Sequence, residues 1–362
     1  MSENHCHNQN SDSTDSDESS CHGSSGKPDW LLRISLSAVL VLYSLHLLLP
    51  DLLSAFNWLM ELGHSVFELI NTIWWGVLIG ILMISALGRV PREFVMAALG
   101  TGKGFAGIWR ATLAGVLLDL CSHGILMVGA KLYERGASTG QVMAFLIASP
   151  WNSFSLTLIL IALIGLPWTL AFIVLSMAIA LLTGVLFERL VAAGTLPANP
   201  NEPDLPEDFK FWPEAKAGIA NSQFSFTSIQ SALKEGLVES KMVVRWILFG
   251  VLLASLVRAF VSPEQFESFF GPSLLGLVIT LSVATILEVC SEGSTPIAAD
   301  ILNRAGAPGN SFVFLMGGVA TDYTEIVVLK DTTKSLKTAM FLPLLTVPQI
   351  VLLGWLINMA TT

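Results

Sequence analysis

From residue 30 onward the chain is built of long apolar runs separated by short polar stretches. A helix that crosses a bilayer needs about 20 mostly apolar residues, and the pattern predicts spanning helices over 31–49, 66–88, 141–163, 168–188, 242–260, 308–329 and 338–359. Two further apolar segments, 104–134 and 273–303, are interrupted midway by Cys121-Ser122-His123-Gly124 and by Cys290-Ser291-Glu292-Gly293. The predicted fold class is an all-α polytopic membrane protein.

The two interrupted segments align without a gap when Cys121 is set on Cys290. Asp119 then meets Glu288, Ser122 meets Ser291, Gly124 meets Gly293, Arg135 meets Arg304, Gly140 meets Gly309 and Phe145-Leu146 meets Phe314-Leu315. The matches fall on Cys, Ser, Gly and Arg as well as on Leu, so a duplication is expected. It divides the chain into a tail (1–29), an extra N-terminal helix and loop (30–65), a first repeat (66–192), an acidic loop (193–236) and a second repeat (237–362).

Basic residues predict the topology, because Lys and Arg stay on the cytoplasmic side. If each interrupted segment dips into the membrane and returns, 17 of the 19 basic residues lie on one side, leaving Arg258 and Arg304 on the other. A single crossing by each segment would erase that bias. Each repeat is thus read as three spanning helices plus one broken or re-entrant helical hairpin. Three crossings is an odd number, so the two repeats are expected to be inverted, as in secondary transporters. The N-terminus is expected on the cytoplasmic side.

Composition agrees with the pattern: 53% of residues are hydrophobic and 13% charged, against roughly 25% charged in soluble domains. The net charge of -9 is unevenly spread. Six acids face Lys27 alone in residues 1–29, and five face Lys210 and Lys216 in 195–225. The apolar body is nearly neutral, and without a basic tract no nucleic-acid partner is expected. Residues 1–29 lack the basic-then-apolar order of a signal peptide and are expected to be disordered. They carry His5, Cys6, His7, Cys21 and His22, side chains that suit soft and borderline metals. Four cysteines in so apolar a chain give no disulfide framework.

The hairpin tips would bring Cys121, Ser122 and His123 together with Cys290, Ser291 and Glu292. That set of thiols, imidazole and carboxylate suits a thiophilic metal or metalloid, although small residues also let helices pack closely in lipid. Ionisable groups inside a membrane are costly and mark aqueous paths. A second polar cluster follows each tip: Asn152 with Ser153 in the first copy, and Asp322 with Glu325 in the second. His46 and His64 read as packing or interface groups, Arg89 to Arg110 as cytoplasmic anchors and Trp74-Trp75 as an interfacial belt. No Walker A, GxSxG, HExxH or dinucleotide fingerprint is present, so the protein is not expected to be an enzyme.

The paired motifs, with Arg135-Gly136-Ala137, Ala144 to Pro150 and Pro296-Ile297-Ala298, resemble the YraQ-like predicted permease family. That family includes an arsenical permease branch and a copper/zinc efflux branch with a His- and Cys-bearing N-terminus. The resemblance implies a multi-pass permease of the bacterial inner membrane, and the tail favours the copper/zinc branch. The expectation is export of copper or zinc, bound transiently by the tail ligands and by Cys121, His123 and Cys290, with no tightly held cofactor. Lipid, the metal ion and a second copy of the chain are the expected partners. Efflux of trivalent arsenicals is the alternative cargo, and a membrane metal sensor or assembly factor without flux is the alternative from another class.

Overall fold

The computed structural model describes residues 30–49, 56–87, 104–117, 122–134, 136–148, 154–201, 226–287 and 291–361. Every element among them is a helix: α1 (Trp30–Leu48), α2 (Asn57–Leu87), α3 (Phe105–Leu117), α4 (Ser122–Glu134), α5 (Thr139–Ala148), α6 (Phe154–Ile164), α7 (Leu166–Ala192), α8 (Phe226–Phe260), α9 (Pro263–Phe270), α10 (Leu274–Leu287), α11 (Ser291–Asn303), α12 (Pro308–Thr321), α13 (Tyr323–Thr333) and α14 (Leu336–Thr361). Among the described residues α1, α7, α14 and the stretch Pro308–Thr333 are long and apolar enough to cross a bilayer. Large apolar side chains such as Leu170, Val174 and Leu182 on α7, or Leu344 and Leu352 on α14, face outward. In a bilayer that surface meets lipid, where it costs nothing.

Three helices depart from the spans read from hydropathy. α2 starts at Asn57 and not at 66, because Leu62, Val66, Leu69 and Ile73 recur every three or four residues on its buried side while Glu61, His64 and Glu68 take the other. Trp74 and Trp75 lie within α2. The expected span 141–163 is two helices, α5 and α6, separated by residues outside the described set. The expected span 308–329 is broken at Asp322 between α12 and α13. α8 also turns through 114° into α9, where Pro263 opens the new helix and the Ser262 hydroxyl accepts from Gln265 N–H.

The helices beside Cys121 and Cys290 are short: α3, α4 and α11 have 13 residues each and α10 has 14. At about 1.5 Å per residue each spans about 20 Å, too little for a hydrocarbon core of about 30 Å. Both pairs are organised around a central helix. α5 packs against α3, α4 and α7, and α12 packs against α10, α11 and α14. α2 runs along α8, α7 touches α14, α4 lies on α13 and α11 lies on α6.

Glycine permits the tightest of these contacts. A Cβ on Gly140 of α5 would strike the carbonyl oxygen of Gly184 on α7, and one on Gly309 of α12 would strike that of Gly354 on α14. Small residues let backbones approach this closely where lipid offers no hydrophobic drive to associate.

α7 relates the short helices to one another in depth. Asn199, just beyond its C-terminal end, donates from Nδ2 to the carbonyls of Tyr133 and Ala137 at the end of α4, both at 2.7 Å. Before its N-terminal end, the carbonyl of Leu163 accepts from Asn303 Nδ2, the last residue of α11, at 3.1 Å. α4 and α11 therefore finish at opposite ends of α7.

Candidate functional site

Asp322 is where the α12–α13 stretch breaks. Its backbone leaves the helical region, and its carboxylate accepts from Thr324 N–H at 2.7 Å, capping α13. The preceding Thr321 hydroxyl bonds back to the carbonyl of Gly317 at 2.7 Å and lies 2.8 Å from the Thr285 hydroxyl on α10. One turn into α13, Glu325 is 2% exposed. Its Oε2 makes no hydrogen bond among the described residues. Asp322 and Glu325 are three apart and share one face of the helix start, whose N-terminal dipole favours anionic groups. α13 packs on α4, the helix that Ser122 and His123 open.

Of the residues singled out in the sequence, the structure brings Asp322 and Glu325 into one turn, with Glu325 buried and Asp322 half-buried. Ser122 and His123 start α4, and Ser291 and Glu292 start α11, but their side chains lie outside the described ones. Cys121, Asn152, Cys290 and the tail ligands His5, Cys6, His7, Cys21 and His22 lie outside the described residues. Among the described residues no group of three or more His, Cys, Asp or Glu is placed to hold a metal ion.

Two buried polar clusters escaped the sequence reading. Arg258, near the end of α8, donates from Nε to both carboxylate oxygens of Asp300 on α11 at 3.0 Å, and from Nη1 to Glu68 on α2 at 2.7 Å. Arg304 approaches the same Asp300 at 3.8 Å and lies over the Phe266 ring. Arg258 and Arg304, the two basic residues expected on the far side, thus converge on one carboxylate. In the second cluster, Asn358 on α14 donates to Asn310 Oδ1 and accepts from Gly309 N–H, both at 2.7 Å, while Asn310 Nδ2 bonds the carbonyls of Phe270 and Gly271. Polar side chains inside an apolar repeat were the available signal, but their partners lie far away in sequence.

A polytopic helical body whose broken helices carry buried carboxyls has the architecture of a membrane transport protein. The chain belongs to the family described as Predicted permease (ArsP_1), which it matches over residues 59–359. It is similar to the UPF0718 protein YcgR of Bacillus subtilis, 22% identical over 284 residues that cover 78% of this chain and 91% of the relative. A protein of Mycobacterium tuberculosis named as a permease is 25% identical over 231 residues, 57% of this chain and 54% of its own, so the chain spans about half of that relative. A Streptococcus mutans protein named as a subunit of a two-component membrane permease complex is 22% identical over 227 residues, 62% of this chain and 71% of its own. No solved structure matches the chain.

Proposed function

We propose that the protein is a secondary-active permease that exports a soft or borderline metal ion, copper or zinc, from the cytoplasm. Two inverted repeats would each contribute a re-entrant hairpin, the first formed by α3 and α4, the second by α10 and α11. Supporting this are the arms α4 and α11, which finish at opposite ends of α7, and the matching packing around α5 and α12. The observation that carries the transport reading is Glu325: a buried carboxyl whose Oε2 has no hydrogen-bond partner among the described residues, at a helix break, against the helix that His123 opens. A group that takes up and releases a cation during a cycle needs that combination of burial and open valence.

In this reading Cys121, His123 and Cys290 hold the ion in transit, assisted by Ser122, Asn152, Ser291 and Glu292, and Asp322 and Glu325 exchange it for protons. The tail ligands gather metal on the side where export starts, so the N-terminus is cytoplasmic. Thiolate and imidazole donors favour copper and zinc over hard cations.

Cells lacking the protein, challenged in turn with copper, zinc, arsenite and methylarsenite, test the assignment. Raised cellular copper or zinc supports it. Raised arsenic alone moves the cargo to arsenicals, and unchanged accumulation of all four removes the exporter reading.

A further inference from the structure

The extra helix α1 has little holding it to the body. Its buried contact is a small cluster of Val39 with Val66 on α2 and Leu248 on α8, and 11% of its most apolar stretch is buried. Near its C-terminal end, however, His46 meets His64 of α2, with ring centroids 5.4 Å apart and planes inclined by 55°. His46 is half-buried against Phe67, and His64 is exposed. Tyr43, one turn below, completes the contact by bonding Asn71 at 3.2 Å.

That spacing matches the one a shared metal ion requires. A zinc–imidazole bond is about 2.0–2.1 Å, so two imidazoles sharing one tetrahedral ion have ring centres about 5.2 Å apart. Zn2+ and Cu2+ accept two imidazoles with water filling the remaining positions. Ring orientation is adjustable by rotation about the side chain, whereas the separation is set by the two helices.

We propose that His46 and His64 form an interhelical binding site for a borderline divalent cation, of the Zn2+ or Cu2+ type, that clasps α1 to α2 at the helix end shared with Phe260. Trp58 of α2 stacks on Phe260 at this same end. The ion adds two metal–nitrogen bonds to an interface otherwise made by a few aliphatic side chains, the Tyr43–Asn71 hydrogen bond and ring contacts to Phe67. The site is separate from the proposed transport path and does not rest on that reading.

The test uses the full-length chain in nanodiscs with His5, Cys6, His7, Cys21, His22, Cys121, His123 and Cys290 all replaced by Ser, which silences both the tail and the proposed path. His46→Phe and His64→Phe keep an aromatic ring and remove the nitrogen donors. In the silenced parent, Cu2+ should give an electron paramagnetic resonance spectrum with two nitrogen ligands, and Zn2+ should raise the unfolding temperature with the logarithm of its concentration above the Kd. Each single substitution should remove one nitrogen from the spectrum, lower Zn2+ affinity by at least the ~10-fold that even outer-shell changes cost, and abolish the thermal shift. Unchanged Zn2+ binding in either variant, or a spectrum with no paired nitrogens in the parent, overturns the clasp and leaves an aromatic packing contact. Export is read separately, from metal accumulation in cells, so failure of one leaves the other standing.

Discussion

Arg258 and Asp300 stand 42 residues apart in sequence and meet through both carboxylate oxygens, with the Asp300 side chain 2% and the Arg258 side chain 13% exposed. The pair fastens α11 to α8, and the same guanidinium reaches across to Glu68 of α2. Removing one member of a buried ion pair strands the other charge, at about 3–5 kcal/mol. Asp300→Ala should therefore unfold at markedly lower denaturant or temperature in detergent, and Arg258→Ala with Asp300→Ala should recover much of the loss. Glu68→Ala should cost far less, since its side chain is 57% exposed. A double-mutant cycle on unfolding checks all three.

Glycine spacing makes a second prediction. Gly309→Ala forces the backbones of α12 and α14 apart and should destabilise by about 1–3 kcal/mol, the range for overpacking. Gly318, on the same helix, has nothing within 4 Å of a built Cβ. Gly318→Ala should therefore be neutral or stabilising by up to about 1 kcal/mol through helix propensity. Thermal unfolding of the two variants side by side separates packing from propensity.

Glu325→Gln keeps the shape of the buried side chain and removes its charge. If the carboxyl exchanges protons for metal, flux in proteoliposomes should fall about tenfold or more, equivalent to ~1.4 kcal/mol on the limiting barrier. The remaining flux should no longer respond to an imposed proton gradient. Wild-type gradient dependence in the variant would remove Glu325 from the coupling step.

Reporters fix the sidedness. A tag inserted after Gly136, in the turn that follows α4, should read cytoplasmic, and one after Gly306, in the turn that follows α11, should read on the other side. Both positions have the positive φ that glycine accommodates, so insertion there interrupts a turn and not a helix. The same reading for both tags would refute the inverted arrangement.

How much of this was legible follows from the reach of each interaction. Apolar runs are local, so the helical membrane class could be read directly, as could the polar interruptions at Cys121 and Cys290. Asp322 was visible as a carboxylate in an apolar span, but the break it makes was not: it depends on the side chain capturing Thr324 N–H, which competes with continuing the helix. The first turns of α2 were missed because a hydropathy window averages Glu61, His64 and Glu68 with the buried Leu62, Val66 and Leu69, hiding a helical period. The Arg258 network was not legible, since its partners lie 42 and 190 residues away. His46 and His64, each unremarkable on its own helix, acquire chemistry only when α1 is laid against α2.

α7 spans 27 residues, about 40 Å at 1.5 Å per residue, and is anchored to α4 beyond one end and to α11 before the other. That is longer than a hydrocarbon core of about 30 Å, and a helix longer than its bilayer tilts to fit. α7 is thus a strut of fixed length through which lipid thickness acts on both short helices together. Thinner bilayers tilt the strut further and change the relative height of its two ends, which makes acyl-chain length a control on the depth at which α4 and α11 terminate.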